Sequence, residues 1–365
     1  MDFSEVKNII DQAMAEYSIP CSDIAIIHNG EIVFRYWKGT NDDEKKIPLN
    51  GEELYFLYSA TKPITCTAAL QLYERGKINL DDKLADYIPE FKEMWVKSPI
   101  GLKKAQNAIS VKHLFTMTSG LNYNLNSKSI HEQIDRNPDS NTLEMVRAMS
   151  DEPLEFEPGT HFLYSLSHDV LAAVVELAAD MPFEEYLRKN IFDVCGMKRT
   201  GFILNDKIRS QICSQYCYDA LKDTVSLMEK ENVFILTSGY KSGGAGLISC
   251  VNDYMLYEAH MLNGSLLKKG TLDLMRKNQL NSTAHEDFQS FKRGYCYGLG
   301  VRTDANSLYA SKSEFGWDGA AGSYVLMDQE HHLGIFYATH VRKHGKLYEK
   351  LHPAIRDAVY KQIRK

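Results

Sequence analysis

The chain has 365 residues, of which 44% are hydrophobic and 25% charged, and its formal net charge is −6 at pH 7. Its length predicts about two domains with a sizeable buried core, and the lack of a Lys/Arg-rich block argues against nucleic acid as a partner. No stretch approaches 18 apolar residues and the N-terminus lacks a basic leader, so we expect neither a membrane span nor a signal peptide. Seven scattered cysteines, an odd number, suit reduced thiols in a cytoplasmic protein.

The N-terminal part of the chain predicts a helix followed by a β-hairpin. An amphipathic stripe begins at Ser4 and indicates the helix. Two apolar runs, 23–27 and 31–37, then flank Asn29-Gly30, and this dipeptide between apolar runs is a strong signal of a two-residue hairpin turn. An antiparallel sheet therefore begins close to residue 23.

The middle of the chain reads as mostly helical, and strand patterns return near the end. Helical periodicity is clear at 170–179 and 183–192, whereas the polar stretch 121–141 predicts a long surface loop. Strands are predicted at 298–301, 322–327 and 333–338, and a last helix at about 346–363.

We therefore expect an α/β (α+β) fold in which both ends of the chain share one sheet. Residues 1–60 and 290–365 would form an α/β domain with an antiparallel sheet flanked by helices. Residues 61–289 would form an inserted, mostly helical domain. A cleft between two such lobes is a common place for a site.

The tetrapeptide Ser59-Ala60-Thr61-Lys62 is the best candidate for a catalytic centre. Four Ser-x-x-Lys matches occur, starting at Ser4, Ser59, Ser238 and Ser265. Only Ser59 follows an apolar run and precedes a helical pattern. Pro63 places the start of that helix near Ser59, because proline is tolerated only in a first helical turn. Residues three apart share a helix face, so the Lys62 amine can reach the Ser59 hydroxyl. This spacing suits a serine nucleophile with a lysine base.

Tyr164 is a second candidate, because it follows the turn Pro158-Gly159-Thr160 and leads into a helix. One interpretation is a half-buried tyrosine that anchors the loop. The other is a base that acts together with Lys62, since neither a lysine nor a tyrosine is a good base at neutral pH without a charged neighbour.

A glycine-rich segment, residues 314–324, contains the candidates Trp317, Asp318, Gly319 and Ala320. It is either a bulged edge strand or a strand whose N–H joins that of Ser59 in binding an oxyanion. The two interpretations stay open at this point.

Other catalytic classes find little support. No Cys/His set has the spacing of a zinc site, and residues 243–246 lack the third glycine of a dinucleotide fingerprint, so we expect no metal and no cofactor. No Gly-x-Ser-x-Gly occurs, which disfavours an α/β-hydrolase. His113 and His168 are interpreted as helix-start or loop residues.

The order of these segments resembles the serine β-lactamase and penicillin-binding-protein superfamily, class C branch, which includes D,D-peptidases and family VIII carboxylesterases. Further matching segments are 111–121, 158–160, 243–247 and 297–300. The resemblance implies a β-lactamase-like fold in which Ser59 is the acylated nucleophile and Lys62 and Tyr164 form the base pair. It also implies an oxyanion hole made by the N–H groups of Ser59 and Ala320.

Two departures from the superfamily bear on the substrate. Leu166 in Tyr164-Ser165-Leu166 stands where β-lactamases carry an asparagine, so a side-chain amide that binds peptide-like acyl groups is missing. Trp317-Asp318-Gly319 stands where they carry Lys-Thr-Gly or His-Thr-Gly, so a cation is exchanged for an aromatic ring beside a carboxylate. Both sequences look like the family VIII esterase versions. Asp318 is expected to narrow the site or to repel anionic acyl groups.

The sequence therefore predicts a serine hydrolase that cleaves small uncharged carboxylic esters through a Ser59 acyl-enzyme. The alternatives are a β-lactamase or D,D-peptidase using the same three residues, an acyltransferase, and a catalytically silent binding module. The predicted partner is a small-molecule ester or amide substrate, and oligomeric state is left open.

Overall fold

A computed structural model describes residues 1–42 and 46–364, and residues 43–45 and 365 of the predicted sheet domain lie outside the described residues. The α-helices of the described residues are, in chain order, α1 (Ser4–Glu16), α2 (Lys62–Glu74), α3 (Leu84–Tyr87), α4 (Val111–Phe115), α5 (Lys128–Arg136), α6 (Thr142–Met149), α7 (Ser167–Ala179), α8 (Phe183–Leu187), α9 (Asp193–Cys195), α10 (Asp206–Gln211), α11 (Val251–Leu262), α12 (Lys269–Arg276), α13 (Ser282–Phe291) and α14 (His352–Ile363). The strands are β1 (Cys21–His28), β2 (Glu31–Gly39), β3 (Tyr55–Phe56), β4 (Trp95–Ser98), β5 (Gly101–Lys104), β6 (Gln215–Asp219), β7 (Thr224–Met228), β8 (Ile248–Ser249), β9 (Cys296–Tyr297), β10 (Arg302–Thr303), β11 (Glu314–Gly316), β12 (Tyr324–Asp328), β13 (Leu333–Ala338) and β14 (Val341–Arg342).

The main sheet is antiparallel and joins both ends of the chain, as predicted. Its strand order is β2-β1-β13-β12-β11-β10-β9. The predicted hairpin is present, because Asn29 (φ +54°) and Gly30 (φ +82°) both take the left-handed conformation that a tight two-residue turn between twisted strands requires. β13 then pairs with β1, so that Ile24 lies opposite Tyr337.

Alternation along the strands buries both faces of this sheet. One face, with Ile24 and Ile335, packs in a core shared with α1 and α14. The other face, with Ala25 and Phe336, packs in a core shared with α2 and α11. Because successive side chains point to opposite faces, strands covered by helices on both sides are apolar throughout. The helices that carry the site are thereby fixed against one rigid sheet.

Three predicted elements differ from the structure. The stretch 121–141 contains helix α5, whose start is capped by the Ser127 hydroxyl, which accepts a hydrogen bond from Ile130 N. The polar residues of this stretch obscure one apolar stripe on the helix. Residues 298–301 form the turn between β9 and β10, where Gly300 has φ +81°. The middle of the chain also contributes β6 and β7, which pair with β14 in a small sheet of order β14-β6-β7.

A buried histidine ties this small sheet to the strand that leads to Ser59. His340 Nδ1 lies 2.8 Å from Cys213 O, and its Nε2 accepts a hydrogen bond from Phe56 N at 3.3 Å. Both contacts suit the neutral ring. Burial lowers the pKa of His340 to about 4, so the ring stays neutral above that pH.

Candidate active site

Ser59 sits on a short 3₁₀ turn, Tyr58–Thr61, between β3 and α2. The preceding residue, Tyr58, has φ +47°, a strained conformation for a side chain of this size. Its buried phenol donates a hydrogen bond to Gln215, and its ring packs edge-on against Phe234 at 5.7 Å. These contacts hold the strained turn, and the turn presents Ser59 at the wall of the main cleft.

Lys62 is fully buried directly behind Ser59. Its Nζ lies 3.3 Å from Ser59 Oγ and donates a shorter hydrogen bond of 2.7 Å to the carbonyl oxygen of Gly244. The same amine stands 4.6 Å from the centre of the Tyr164 ring. The structure thus brings together the three residues for which the sequence predicts acyl chemistry.

Gly244 is itself held through its backbone N–H by Asp169, a buried residue of α7. One carboxylate oxygen, Oδ1, accepts hydrogen bonds from Tyr240 Oη and Ser242 Oγ, both at 2.6 Å, and from Gly244 N at 3.3 Å. A Cβ added at Gly244 would lie 2.5 Å from the other oxygen, Oδ2, so only glycine fits. The sequence interpretation missed Asp169 and assigned Gly244 only to a segment that matches the superfamily.

Tyr164 stands in a stack of aromatic rings. Its ring lies 5.0 Å from Phe291 and 5.7 Å from both Trp317 and Tyr123, in near-parallel orientations. Its phenol oxygen accepts a hydrogen bond of 3.1 Å from Trp317 Nε1. The Tyr164 ring is anchored, which agrees with its interpretation as a loop anchor. It also lines the cleft together with Ser59, a position that its interpretation as a base requires.

The glycine-rich segment lies between β11 and β12, which are inner strands of the main sheet, so the edge-strand interpretation does not apply. A Cβ added at Gly319 would lie 2.3 Å from the carbonyl oxygen of Leu57, which shows how closely this segment packs against the Ser59 turn. Tyr348 Oη donates a hydrogen bond of 2.8 Å to Gly319 O and holds the segment from the other side.

Ser59 and Ala320, which both line the cleft, have backbone N–H groups available to a ligand. Ser59 lies in the first turn of its helical segment, where N–H groups have no partner within the helix. Ala320 N has no acceptor within the part of the chain that the structure describes. Unpaired N–H groups on the Ser59 turn and on the segment between β11 and β12 are of the kind that can bind an oxyanion.

The cleft has a volume of about 760 Å³. The predicted site residues that line it are Ser59, Tyr164, Trp317, Asp318, Gly319 and Ala320. Leu166, which the sequence analysis also placed at the site, is not among its lining residues. Its buried side chain borders a smaller neighbouring cavity beside Leu121, because the chain has already turned into α7 at that point.

Asp318, which the sequence predicts to narrow the site or to repel anionic acyl groups, is paired with two cations. Its Oδ2 lies 2.5 Å from Lys292 Nζ and its Oδ1 lies 3.1 Å from a guanidinium nitrogen of Arg302. Burial alone would raise the pKa of Asp318, but the charges of Arg302 and Lys292 lower it to about 2. The sequence interpretation missed Lys292, which no recognisable motif marks.

The two histidines interpreted as helix-start residues are found there. His113 completes a capping box with Ser110 at the start of α4. His168 is the second residue of α7, and burial and the charge of Lys62 lower its pKa to about 3. Among residues 1–42 and 46–364, no group of three or more His, Cys, Asp and Glu side chains is arranged to hold a metal ion.

The helices of the described residues include none with the length and apolar character needed to span a bilayer.

Comparison with known proteins supplies a family context. The family model described as Beta-lactamase matches residues 6–360. Esterase EstB of Burkholderia gladioli is 27% identical over 376 aligned residues, which cover 96% of this chain and 93% of that protein. A putative D-alanyl-D-alanine carboxypeptidase of Escherichia coli (strain K12) is 26% identical, covering 87% of this chain and 77% of that protein.

Among solved structures, EstCE1, described as a hydrolase with promiscuous acyltransferase activity, superposes with a TM-score of 0.81. It is 24% identical in sequence, and the superposition covers 98% of each chain. At this identity the likeness shows a shared fold.

Proposed function

Because this chain belongs to the beta-lactamase family, we propose that it cleaves small uncharged carboxylic esters through an acyl-enzyme at Ser59. The family match confirms the predicted fold, an antiparallel sheet flanked by helices, and with it a serine hydrolase. The observation that carries the proposal is the position of Lys62 Nζ, 3.3 Å from Ser59 Oγ and 4.6 Å from the Tyr164 ring, at one wall of an aromatic cleft.

In the proposed acylation step, Ser59 Oγ attacks the ester carbonyl carbon while Tyr164, as phenolate, takes the hydroxyl proton. The adjacent Lys62 amine favours the phenolate by its positive charge. The carbonyl oxygen becomes an oxyanion that accepts hydrogen bonds from the N–H groups of Ser59 and Ala320. Collapse of this intermediate breaks the C–O bond, and Tyr164 returns the proton to the departing alcohol.

Deacylation repeats these steps with water. Tyr164, again a phenolate, takes a proton from a water molecule that attacks the acyl carbonyl carbon. The same oxyanion donors act, and Ser59 Oγ leaves with the proton that Tyr164 gives back. The products are a carboxylic acid and the free enzyme, and no cofactor is required.

An ester substrate suits the walls of the cleft. The stacked rings of Tyr164, Phe291 and Trp317 form an apolar wall beside the nucleophile. Position 166 supplies no amide to an acyl chain, because it is a leucine and its side chain lies outside the cleft. A site without amide recognition can still turn over an ester, because an alkoxide leaves more readily than an amine anion.

Intact mass spectrometry tests the proposal. The native chain is mixed briefly with p-nitrophenyl butyrate and, separately, with a penicillin, beside Ser59→Ala and the matched control Ser265→Ala, an exposed serine of another Ser-x-x-Lys sequence. We expect a transient butyryl adduct on the native chain and on Ser265→Ala, and none on Ser59→Ala. A long-lived penicillin adduct at Ser59 would favour the β-lactamase or D,D-peptidase alternative instead.

The acyltransferase alternative uses the same three residues and differs only in the acceptor. Product analysis in the presence of a competing alcohol separates the two activities. Predominant formation of a new ester at millimolar alcohol would assign acyl transfer. Predominant formation of the free acid supports hydrolysis.

We also propose a cytoplasmic location and the division into a sheet domain (1–60 and 290–365) and an inserted helical domain (61–289). The first rests on seven cysteines at scattered positions, which suit a reducing compartment. The second is supported by the origin of the main-sheet strands, all of which lie in residues 21–39 and 296–338. Limited proteolysis tests the division, because a first cut is expected near residue 290, where the domain boundary is exposed, and not near residue 60, where it is buried.

A further inference from the structure

A compensated charge cluster that the proposed mechanism does not use lies at the cleft, where Lys292 and Asp318 line the wall and the more buried Arg302 lies behind Asp318. Lys292 follows the last residue of α13, and its amine lies 5.3 Å from the Tyr295 ring centre and 6.0 Å from that of Trp317. It contacts one oxygen of Asp318, while Arg302 contacts the other. The exposed fractions of the side chains are 18% for Lys292, 9% for Asp318 and 3% for Arg302, so water screens the cluster little.

The other groups around the cluster add little negative charge. His352 Nδ1 lies 3.9 Å from Asp318, and burial lowers the pKa of His352 to about 4, so the ring is neutral at pH 7. Glu314 is directed to Arg356 at 3.9 Å, and burial raises its pKa to about 7. The two cations at Asp318 therefore have this one carboxylate as their main fixed partner.

We propose that Asp318 is a specificity residue, which excludes anionic substrates because its carboxylate occupies a cationic subsite formed by Lys292 and Arg302. This inference deepens the proposed function and rests on it, since it explains why uncharged esters are the substrate class. From the sequence, Asp318 is expected to narrow the site or to repel anionic acyl groups, whereas in the structure two anion-binding cations are present and already paired with it.

Tethering makes this occupation effective. Asp318 belongs to the same chain as both cations, so it competes with a substrate carboxylate at a high effective concentration. An anionic substrate that entered without displacing it would place a second carboxylate beside that of Asp318, while Lys292 and Arg302 are both already paired, which is unfavourable. Removal of the Asp318 charge should therefore open a subsite for esters that carry a carboxylate.

Matched ester pairs test the inference. The first pair is p-nitrophenyl hexanoate and the mono-p-nitrophenyl ester of adipic acid, which places a carboxylate on the acyl side. The second pair is phenyl butyrate and 3-carboxyphenyl butyrate, which places it on the alcohol side. The measured quantity is the ratio of kcat/KM for the anionic ester to that for the neutral ester, so a general loss of activity cancels.

In Asp318→Asn we expect this ratio to rise at least tenfold for one of the two pairs. The double variant Asp318→Asn with Lys292→Gln should return it towards the native value, because half of the cationic subsite is then missing. If both ratios stay unchanged in Asp318→Asn, the inference is overturned. Should that variant fail to fold, Lys292→Gln alone should lower the native ratio at least threefold, and an unchanged or higher ratio would overturn the inference equally.

A binding measurement separates this inference from the proposed function. The thermal unfolding midpoint is recorded with benzoate or with the uncharged benzamide, in the Ser59→Ala background, where no acyl chemistry occurs. Benzoate should raise the midpoint of Asp318→Asn and leave Asp318-containing protein unchanged, and benzamide should do neither. If the native chain shows no ester hydrolysis that depends on Ser59, the proposed function alone is refuted. If it shows such hydrolysis but neither a ratio change nor a benzoate effect in the Asp318→Asn variants, the subsite alone is refuted.

Discussion

Asp169 offers the sharpest test of how the lysine behind Ser59 is held. Two variants separate its two contributions. Asp169→Asn keeps an oxygen that can accept the hydrogen bonds from Tyr240, Ser242 and Gly244 but removes the charge. Asp169→Ala removes both the charge and the acceptor. We expect the asparagine variant to lose mainly activity and the alanine variant to lose activity and stability.

The magnitudes follow from the geometry around Gly244. Asp169 Oδ2 and Lys62 Nζ lie 2.5 and 3.3 Å from the same point, the position of an added Cβ, so these two atoms are at most about 5.8 Å apart. With both groups ionised and an effective dielectric constant of about 20, their attraction is about 3 kcal/mol. Expressed fully in the transition state, its loss lowers kcat about a hundredfold.

The alanine variant also leaves three buried donors without an acceptor. Each orphaned donor costs about 1–3 kcal/mol, and the costs within one network are not additive, so we expect a total loss of about 3–5 kcal/mol. Urea unfolding measures this loss, and single-turnover hydrolysis of p-nitrophenyl butyrate measures the chemical step. Native kcat in Asp169→Asn, or a loss of stability and activity in the same proportion in both variants, would contradict the roles assigned to Asp169.

Three further predictions concern Tyr164 as the base, the pH response of His340 and the glycine-rich segment at Gly319. Tyr164→Phe should lower kcat about 10²- to 10⁴-fold in steady-state assays, because it removes the proton acceptor. It keeps the stacked ring, so the loss of stability should be limited to about 1–3 kcal/mol, the cost of the unpaired Trp317 Nε1. As the pH is lowered from about 6.5 to 4, the unfolding free energy of His340→Gln should fall by about 3 kcal/mol less than that of the native chain, as measured by urea titration at each pH. A pKa lowered to about 4 in the folded state means that the unfolded chain binds the extra proton as pH falls, so native stability is lost in that range. Gly319→Ala should abolish acylation in burst-phase experiments, since its Cβ would meet a backbone oxygen at 2.3 Å, whereas the matched Gly30→Ala, with open space around its Cβ, should cost only about 1 kcal/mol of stability.

The features that the sequence predicted well are those whose cause is local. Ser59 and Lys62 are three residues apart, so a helical turn brings them together wherever that turn lies in the fold. The Asn29-Gly30 turn likewise depends on its own two residues, which tolerate the left-handed conformation. The end of helix α2 has a local cause too, because Gly76, just beyond Glu74, takes the left-handed conformation (φ +66°) that glycine tolerates.

The parts of the site that the sequence did not predict depend on contacts between distant segments. The Gly244 carbonyl lies 182 residues from the lysine that it binds, and nothing in the glycine pair itself indicates which amine it faces. Helix α5 was missed for a related reason. Its stripe of buried residues is short, and only its packing against the rest of the insertion shows that Ile130 belongs to the core.

The charge at Asp318 shows how a local interpretation can identify a residue correctly and still misjudge its effect. Trp317-Asp318-Gly319 contains no cation, and a carboxylate considered by itself predicts a cleft that repels anions. The structure supplies Lys292 from the end of α13 and Arg302 from β10, both in contact with this carboxylate. The sign of the potential in the cleft is therefore set by three segments together. A single substitution at Asp318 should change which esters the site accepts, because the cations that would receive a substrate carboxylate are already in place.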